Sequence, residues 1–180
     1  MNITHTDIEG LTLLSPPRFD DPRGSFRPVF AQRLHQESGY AHDWAEMNVS
    51  HTAEGSIRGL HFQNPQPQAK LITVISGTIF DVAVDLRPSS TTFLNHQTFI
   101  LSADNPELPS QIYLPEGLAH GFATHQGPAT VAYLVSSPWN PSTEQVLAWN
   151  DPELNIQWPI LDVTLSERDL AGLPINKLNL

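Results

Sequence analysis

The chain has no cysteine among its 180 residues, which excludes a disulfide scaffold and any thiolate metal site. It has no apolar run approaching the ~20 residues that a membrane-spanning helix requires. Residues 1–10 have neither the basic flank nor the apolar core of a targeting segment. These omissions predict a cytoplasmic protein without a membrane partner. Cations are scarce: nine Lys plus Arg stand against nineteen Asp plus Glu, for a net charge of −10. Nucleic acid is therefore not an expected partner, since that affinity comes from cations clustered on phosphates. The scarcity makes each cation informative. Arg23, Arg58 and Lys70 lie in motif-like surroundings rather than on a charged surface, as expected of an acidic protein that holds one small anion.

What the chain does have is punctuation. Sixteen prolines and ten glycines fall mostly between apolar runs and form no linker or repeat, so residues 1–180 read as a single domain. Leu71–Ile75 and Ile79–Leu86 are rich in β-branched residues, with a tight turn at Ser76-Gly77. Further strands are expected at Thr92–Leu101, Gln111–Leu114, Gly121–Thr124 and Thr130–Val135. Helix signals are short and peripheral, at Gln32–Ser38 before Gly39 and at Ser166–Leu170 before Gly172. Closely spaced strands without intervening helices predict an all-β sandwich or jelly-roll barrel. Period-two alternation puts Ile57, Gly59, His61 and Gln63 on one face. It puts Asp81, Ala83 and Asp85 on another, a polar face suited to a barrel that encloses a ligand.

Two histidines sit in small-residue frames: Gly55-Ser56-Ile57-Arg58-Gly59-Leu60-His61-Phe62-Gln63 and Leu114-Pro115-Glu116-Gly117-Leu118-Ala119-His120-Gly121-Phe122. Imidazole titrates near neutrality, which suits His61 to general base work. Taken alone it also reads as a core histidine bonded to backbone, but Arg58, Gln63 and Lys70 around it favour chemistry. Its orienting carboxylate could be Asp81, Asp85 or Asp169, and periodicity does not choose among them. Tyr133, on the apolar run Val131–Val135, is the candidate acid. His120 completes half of a metal-binding pattern found in cupin barrels, but Phe62-Gln63 after His61 lacks the second imidazole, so no metal is expected. Arg23 and Arg58 are candidate diphosphate clamps, because guanidinium forks match phosphate oxygens.

In this order the pieces resemble the dTDP-4-dehydrorhamnose 3,5-epimerase family. The likeness runs from about Phe19 to Asp169. It rests on Arg23-Gly24-x-Phe26, Asn48-x-Ser50, Arg58-Gly59-Leu60-His61-Phe62-Gln63, Lys70-Leu71 and Phe80 to Arg87. Pro115-Glu116-Gly117-x-Ala119-His120-Gly121-Phe122, Trp149-Asn150-Asp151-Pro152 and Leu165-Ser166-x-x-Asp169 continue it. The resemblance implies a metal-free cupin jelly roll, working without a cofactor as a homodimer on a nucleotide-diphosphate 4-keto-6-deoxy sugar. It implies His61 as base, Asp169 as its partner, Tyr133 as acid and Lys70 beside the keto oxygen. It implies Arg23 and Arg58 on the diphosphate, with Phe19, Phe26, Asn48 and His120 also at the site. Phe19 and Arg23 would reach into the partner's pocket.

Some positions depart from the family pattern. Pro28 stands in place of a glutamate, Trp139 in place of a tyrosine, and Leu94 and His96 in place of glycine and tryptophan. Pro28 and Trp139 fall where base and sugar contacts are expected. Three alternatives follow: a relative that inverts only C3 or only C5 of another nucleotide sugar, a catalytically silent sugar-nucleotide-binding cupin, and a metal-dependent cupin.

Overall fold

The computed structural model describes residues 1–37, 39–40 and 42–180, without the side chains of Leu34 and Glu37. The strands in the first part of the chain are β1 (Asn2–His5), β2 (Thr12–Ser15), β3 (Phe19–Asp21), β4 (Gly24–Phe26), β5 (Glu46–Thr52) and β6 (Ile57–Gln63). There follow β7 (Lys70–Ser76), β8 (Thr78–Asp85), β9 (His96–Ser102), β10 (Gln111–Leu114), β11 (Leu118–Ala123), β12 (Ala129–Val135) and β13 (Glu144–Val146). Two helices are short: α1 (Gln32–Glu37) and α2 (Glu167–Leu170), the latter N-capped by the Ser166 hydroxyl. Ser38, the expected end of the first helix, lies outside the described residues.

Among the described residues the strands form a six-stranded sheet, β1-β2-β10-β7-β12-β5, and a five-stranded sheet, β13-β6-β11-β8-β9, both antiparallel. The β3-β4 hairpin stands apart from both. Ile72, Val74, Ile112, Leu114 and Val131 from the first sheet pack against Ile79, Ala83, Leu101, Leu118 and Phe122 from the second. This is the jelly-roll sandwich of the cupins. Its inner faces supply a core at one end and, as shown below, a polar cavity at the other.

The outer face of the five-stranded sheet is also apolar. Leu60, Phe62, Val82, Val84 and Ala119 are covered there by Leu147, Leu154, Ile156 and Ile175 from the C-terminal segment. A parallel bridge from Ser56 to Thr164 and another from Leu147 to Leu173 tie that segment down. The docking delivers α2 to the mouth of the barrel.

The third predicted strand begins later than its composition suggests. Residues 92–95 form a turn, and the Thr92 and Ser90 hydroxyls both donate to the buried Asp85 carboxylate. Arg87 closes the same knot with two side-chain bonds of 2.8 Å, so Asp85 is structural and is not the partner of a histidine.

Candidate active site

Strands β6 and β11 approach too closely for side chains at one point. A Cβ on Gly59 would lie 2.7 Å from Gly121 Cα, and one on Gly121 would lie 2.6 Å from the Arg58 carbonyl oxygen. Gly59 also has φ +115°, which other residues rarely adopt. The pairing slips here: His61 faces His120, whereas Arg58 faces Phe122. This bulge reverses the alternation, so Arg58 and His61 point the same way although three residues separate them. Ile57, paired with Ala123, falls on the opposite face, which corrects the period-two assignment.

That shared face lines a cavity of about 290 Å³ between the sheets. His61 and Arg58 enter it from β6, His120 from β11, Lys70 from β7, Tyr133 from β12, and Asn48 and Ser50 from β5. Trp139, Glu144 and Arg168 close its rim. The structure thus brings together eight of the twelve residues predicted for the site, counting Asp169 through its bond to His61.

His61 Nε2 lies 2.5 Å from Asp169 Oδ1. The Asp169 carboxyl is pushed up by burial, but hydrogen bonds from His61, Ser166 and the Gly59 N–H hold it below the usual range. An ionised Asp169 accepts, so Nε2 carries the proton and the Nδ1 lone pair is left free. Arg168 Nη2 is 3.2 Å from the same Nε2. A guanidinium cannot accept a proton, so Arg168 acts there as a charge and not as a hydrogen-bond partner of the protonated nitrogen. Glu144 fixes Arg168 at 2.5 Å and also accepts from the Trp139 indole at 2.8 Å.

Across the strand pair stands a second couple, His120 Nε2 to Asp81 Oδ2 at 2.8 Å. Asp81 is wholly buried and its other oxygen has no hydrogen-bond partner among the described residues. Lys70 is buried too, and its Nζ donates to the His61 carbonyl at 3.2 Å. Burial lowers its pKa to about 8, against the pull of Glu144 and Asp81. Burial raises the Tyr133 hydroxyl to about 12, although a 2.8 Å bond to Ser50 opposes the shift. Arg58 is pinned by the Thr52 hydroxyl at 2.8 Å and the His51 carbonyl at 3.1 Å, so its fork is held in the wall. The cavity therefore combines a free imidazole nitrogen, a buried ammonium, a protonated phenol and a guanidinium.

Four expected site residues lie elsewhere. Gln63 does not line the cavity. Its amide donates to the Gln66 and Pro138 carbonyls and accepts from Asn140 N–H, so it braces the loop that carries Trp139. Phe19, Arg23 and Phe26 sit on the detached β3-β4 hairpin, away from the cavity of their own chain. There the two rings stack on each other at 6.4 Å and the Arg23 fork pairs with Asp21. Pro28 is likewise absent from the cavity lining. Sequence reasoning missed Glu144 and Arg168, although Arg168 adjoins Asp169. The only signal for Ser50 is its place in the Asn48-x-Ser50 motif. Among the described residues no group of three or more His, Asp or Glu is arranged to hold a metal ion.

The family model for dTDP-4-dehydrorhamnose 3,5-epimerase matches residues 5–177. A dTDP-4-dehydrorhamnose 3,5-epimerase of Neisseria gonorrhoeae is 41% identical over 96% of this chain, which spans 52% of that relative. The structure of the Bacillus anthracis dTDP-4-dehydrorhamnose 3,5-epimerase, with TDP and PPi bound, superimposes with a TM-score of 0.91 at 40% identity. That match covers 97% of this chain and 99% of the other. A 3′-monoepimerase from Streptomyces bikiniensis, in complex with dTDP-quinovose, matches with a TM-score of 0.85 at 32% identity, covering 95% and 86%. On the family model, the full-length identity and the fold together, this chain belongs to the dTDP-4-dehydrorhamnose 3,5-epimerase family.

Proposed function

We propose that the protein is an isomerase that inverts C3 and C5 of a dTDP-4-keto-6-deoxyhexose by proton transfer through an enolate. The observation that carries this reading is the convergence of His61, Lys70 and Tyr133 on one cavity, with Asp169 bound to His61 Nε2. The C4 ketone acidifies the hydrogens on C3 and C5. His61 Nδ1 takes one of them, and Asp169 stabilises the imidazolium that forms. Negative charge moves to the keto oxygen, where the Lys70 ammonium meets it in a water-poor site. Tyr133 then protonates the carbon from the other face. The step leaves an imidazolium and a phenolate, and exchange with solvent resets both. General acid–base steps of this kind contribute roughly 10²–10⁴-fold each. No cofactor enters the scheme.

Arg58 serves the diphosphate, Asn48 and His120 contact the substrate, and Trp139 forms the outer wall. The cavity of about 290 Å³ is at the small end of the ~300–1,000 Å³ usual for ligand sites. A nucleotide sugar therefore needs further walls. Exposed Phe19 and Phe26 on the hairpin, with exposed Met47 and Val49 on edge strand β5, supply a face for a second copy. In this homodimer Phe19, Arg23 and Phe26 complete the partner's site, and the enzyme works in the cytoplasm. No described helix is long and apolar enough to cross a membrane.

The test is proton NMR and mass spectrometry of dTDP-4-keto-6-deoxyglucose incubated with the protein in heavy water. Deuterium at C3 and C5 with inversion at both is expected. Label and inversion at one carbon would replace the reading with a single-site epimerase, which Pro28 and Trp139 would then help explain. No label at all would leave a binding protein.

A further inference from the structure

We infer that Ser50 is a positioning residue for Tyr133, holding the phenol's proton towards the substrate and donating to the phenolate once that proton has left. The inference rests on the proposed role of Tyr133 as acid. Ser50 pairs with Val131 across β5 and β12, which makes it the diagonal neighbour of Tyr133 on the cavity face. Its hydroxyl lies 2.8 Å from the Tyr133 hydroxyl, and both residues line the cavity. Either oxygen can donate in that bond.

One of these directions, with Ser50 as donor, serves both moments of the reaction. Before transfer, Ser50 donates to the phenol oxygen, so the phenol's own single proton turns away from Ser50 and towards the substrate. After transfer the phenolate can only accept, and the serine hydroxyl is the donor already in place. A hydrogen bond to a charged oxygen is stronger than one to a neutral oxygen, so the interaction tightens as the proton departs. That makes it selective for the transition state, which is what raises kcat. The charged neighbours do not replace it. Arg58 favours the phenolate from a distance and Asp81 opposes it, whereas Ser50 alone among these touches the oxygen.

The experiment compares Ser50→Ala, Ser50→Thr, Tyr133→Phe and the double variant Ser50→Ala/Tyr133→Phe, on dTDP-4-keto-6-deoxyglucose in heavy water. Ser50→Ala should slow inversion roughly tenfold, the loss of one hydrogen bond to a charged group. KM should stay within about twofold, because the contact strengthens only in the transition state. Deuterium wash-in with retained configuration should fall less than inversion does, since His61 still removes and returns protons. Ser50→Thr keeps a hydroxyl at the same place and should restore the rate. Adding Ser50→Ala to Tyr133→Phe should cost nothing further. An unchanged inversion rate in Ser50→Ala, or an equal loss in the Tyr133→Phe background, overturns the inference while leaving Tyr133 as acid. Full inversion by Tyr133→Phe instead overturns the acid assignment itself, and the role of Ser50 with it.

Discussion

His61 and His120 face each other across one pair of strands, and each binds an aspartate through Nε2, but the two couples differ in every other respect. The His61 side chain is 22% exposed and its aspartate arrives from 108 positions away on α2. The His120 side chain is 4% exposed and its aspartate belongs to the adjacent strand β8. The first imidazole is reachable, with Nδ1 open to a ligand. The second is part of the wall, and its aspartate keeps one buried oxygen without a partner among the described residues. The same pair of residue types therefore makes a base at the mouth of the barrel and a fixed polar buttress inside it. Accessibility and the origin of the partner separate them, not their chemistry.

Four measurements can break or sharpen that contrast. The largest effect belongs to the imidazoles themselves. His61→Ala should lose roughly 10³-fold or more in deuterium wash-in, with TDP affinity by calorimetry nearly unchanged. His120→Ala should lose far less, and equal losses would erase the distinction. The aspartates come next. Asp169→Asn should cost on the order of 10²–10⁴ in kcat through the wrong tautomer, with little change in melting temperature. Asp81→Asn should show its main effect in thermal denaturation, at about 3 kcal/mol, because it disturbs a buried bonded charge.

Arg58→Ala should weaken TDP binding about tenfold. An unchanged dissociation constant would remove the guanidinium from the diphosphate site. The smallest effect is a pH limb. Lys70 titrates near 8 because burial disfavours its charge, so the cation is full below that pH and is lost as the pH rises through it. In the free enzyme kcat/KM should fall about twofold at pH 8 and further above it. Lys70→Arg, which keeps its charge, should flatten the limb even at a lower rate.

Much of this was legible in the sequence where one residue type dominates a run. β7, β8, β10 and β12 are rich in β-branched and aromatic residues, and their expected bounds are within a residue or two of those observed. The N-terminal strands were not legible, because β1, β3 and β4 are exposed and carry no alternation to read. The face of Ile57 departs from the period-two expectation for a different reason. Strict period two holds only while the pairing register holds, and Gly59 and Gly121 allow it to slip. Gln63 shares the parity of His61, as period two predicts, but the strand outruns the cavity and delivers it to the 138–140 loop. The choice of Asp169 over Asp81 and Asp85 came only from the family likeness. Local pattern cannot show that a one-turn helix returns to β6 after more than a hundred residues.

That long return also sets an order of assembly. Synthesis runs from the N-terminus, so the strands bearing Lys70, His120 and Tyr133 are complete before Asp169 leaves the ribosome. Until then His61 Nε2 has no carboxylate to pair with. Only when the C-terminal segment covers Leu60 and Phe62, and the Ser56–Thr164 bridge forms, does α2 come within reach. Alignment of the base thus depends on a segment made after every strand that lines the cavity, and truncation before Asp169 would remove the carboxylate while leaving those strands intact in sequence.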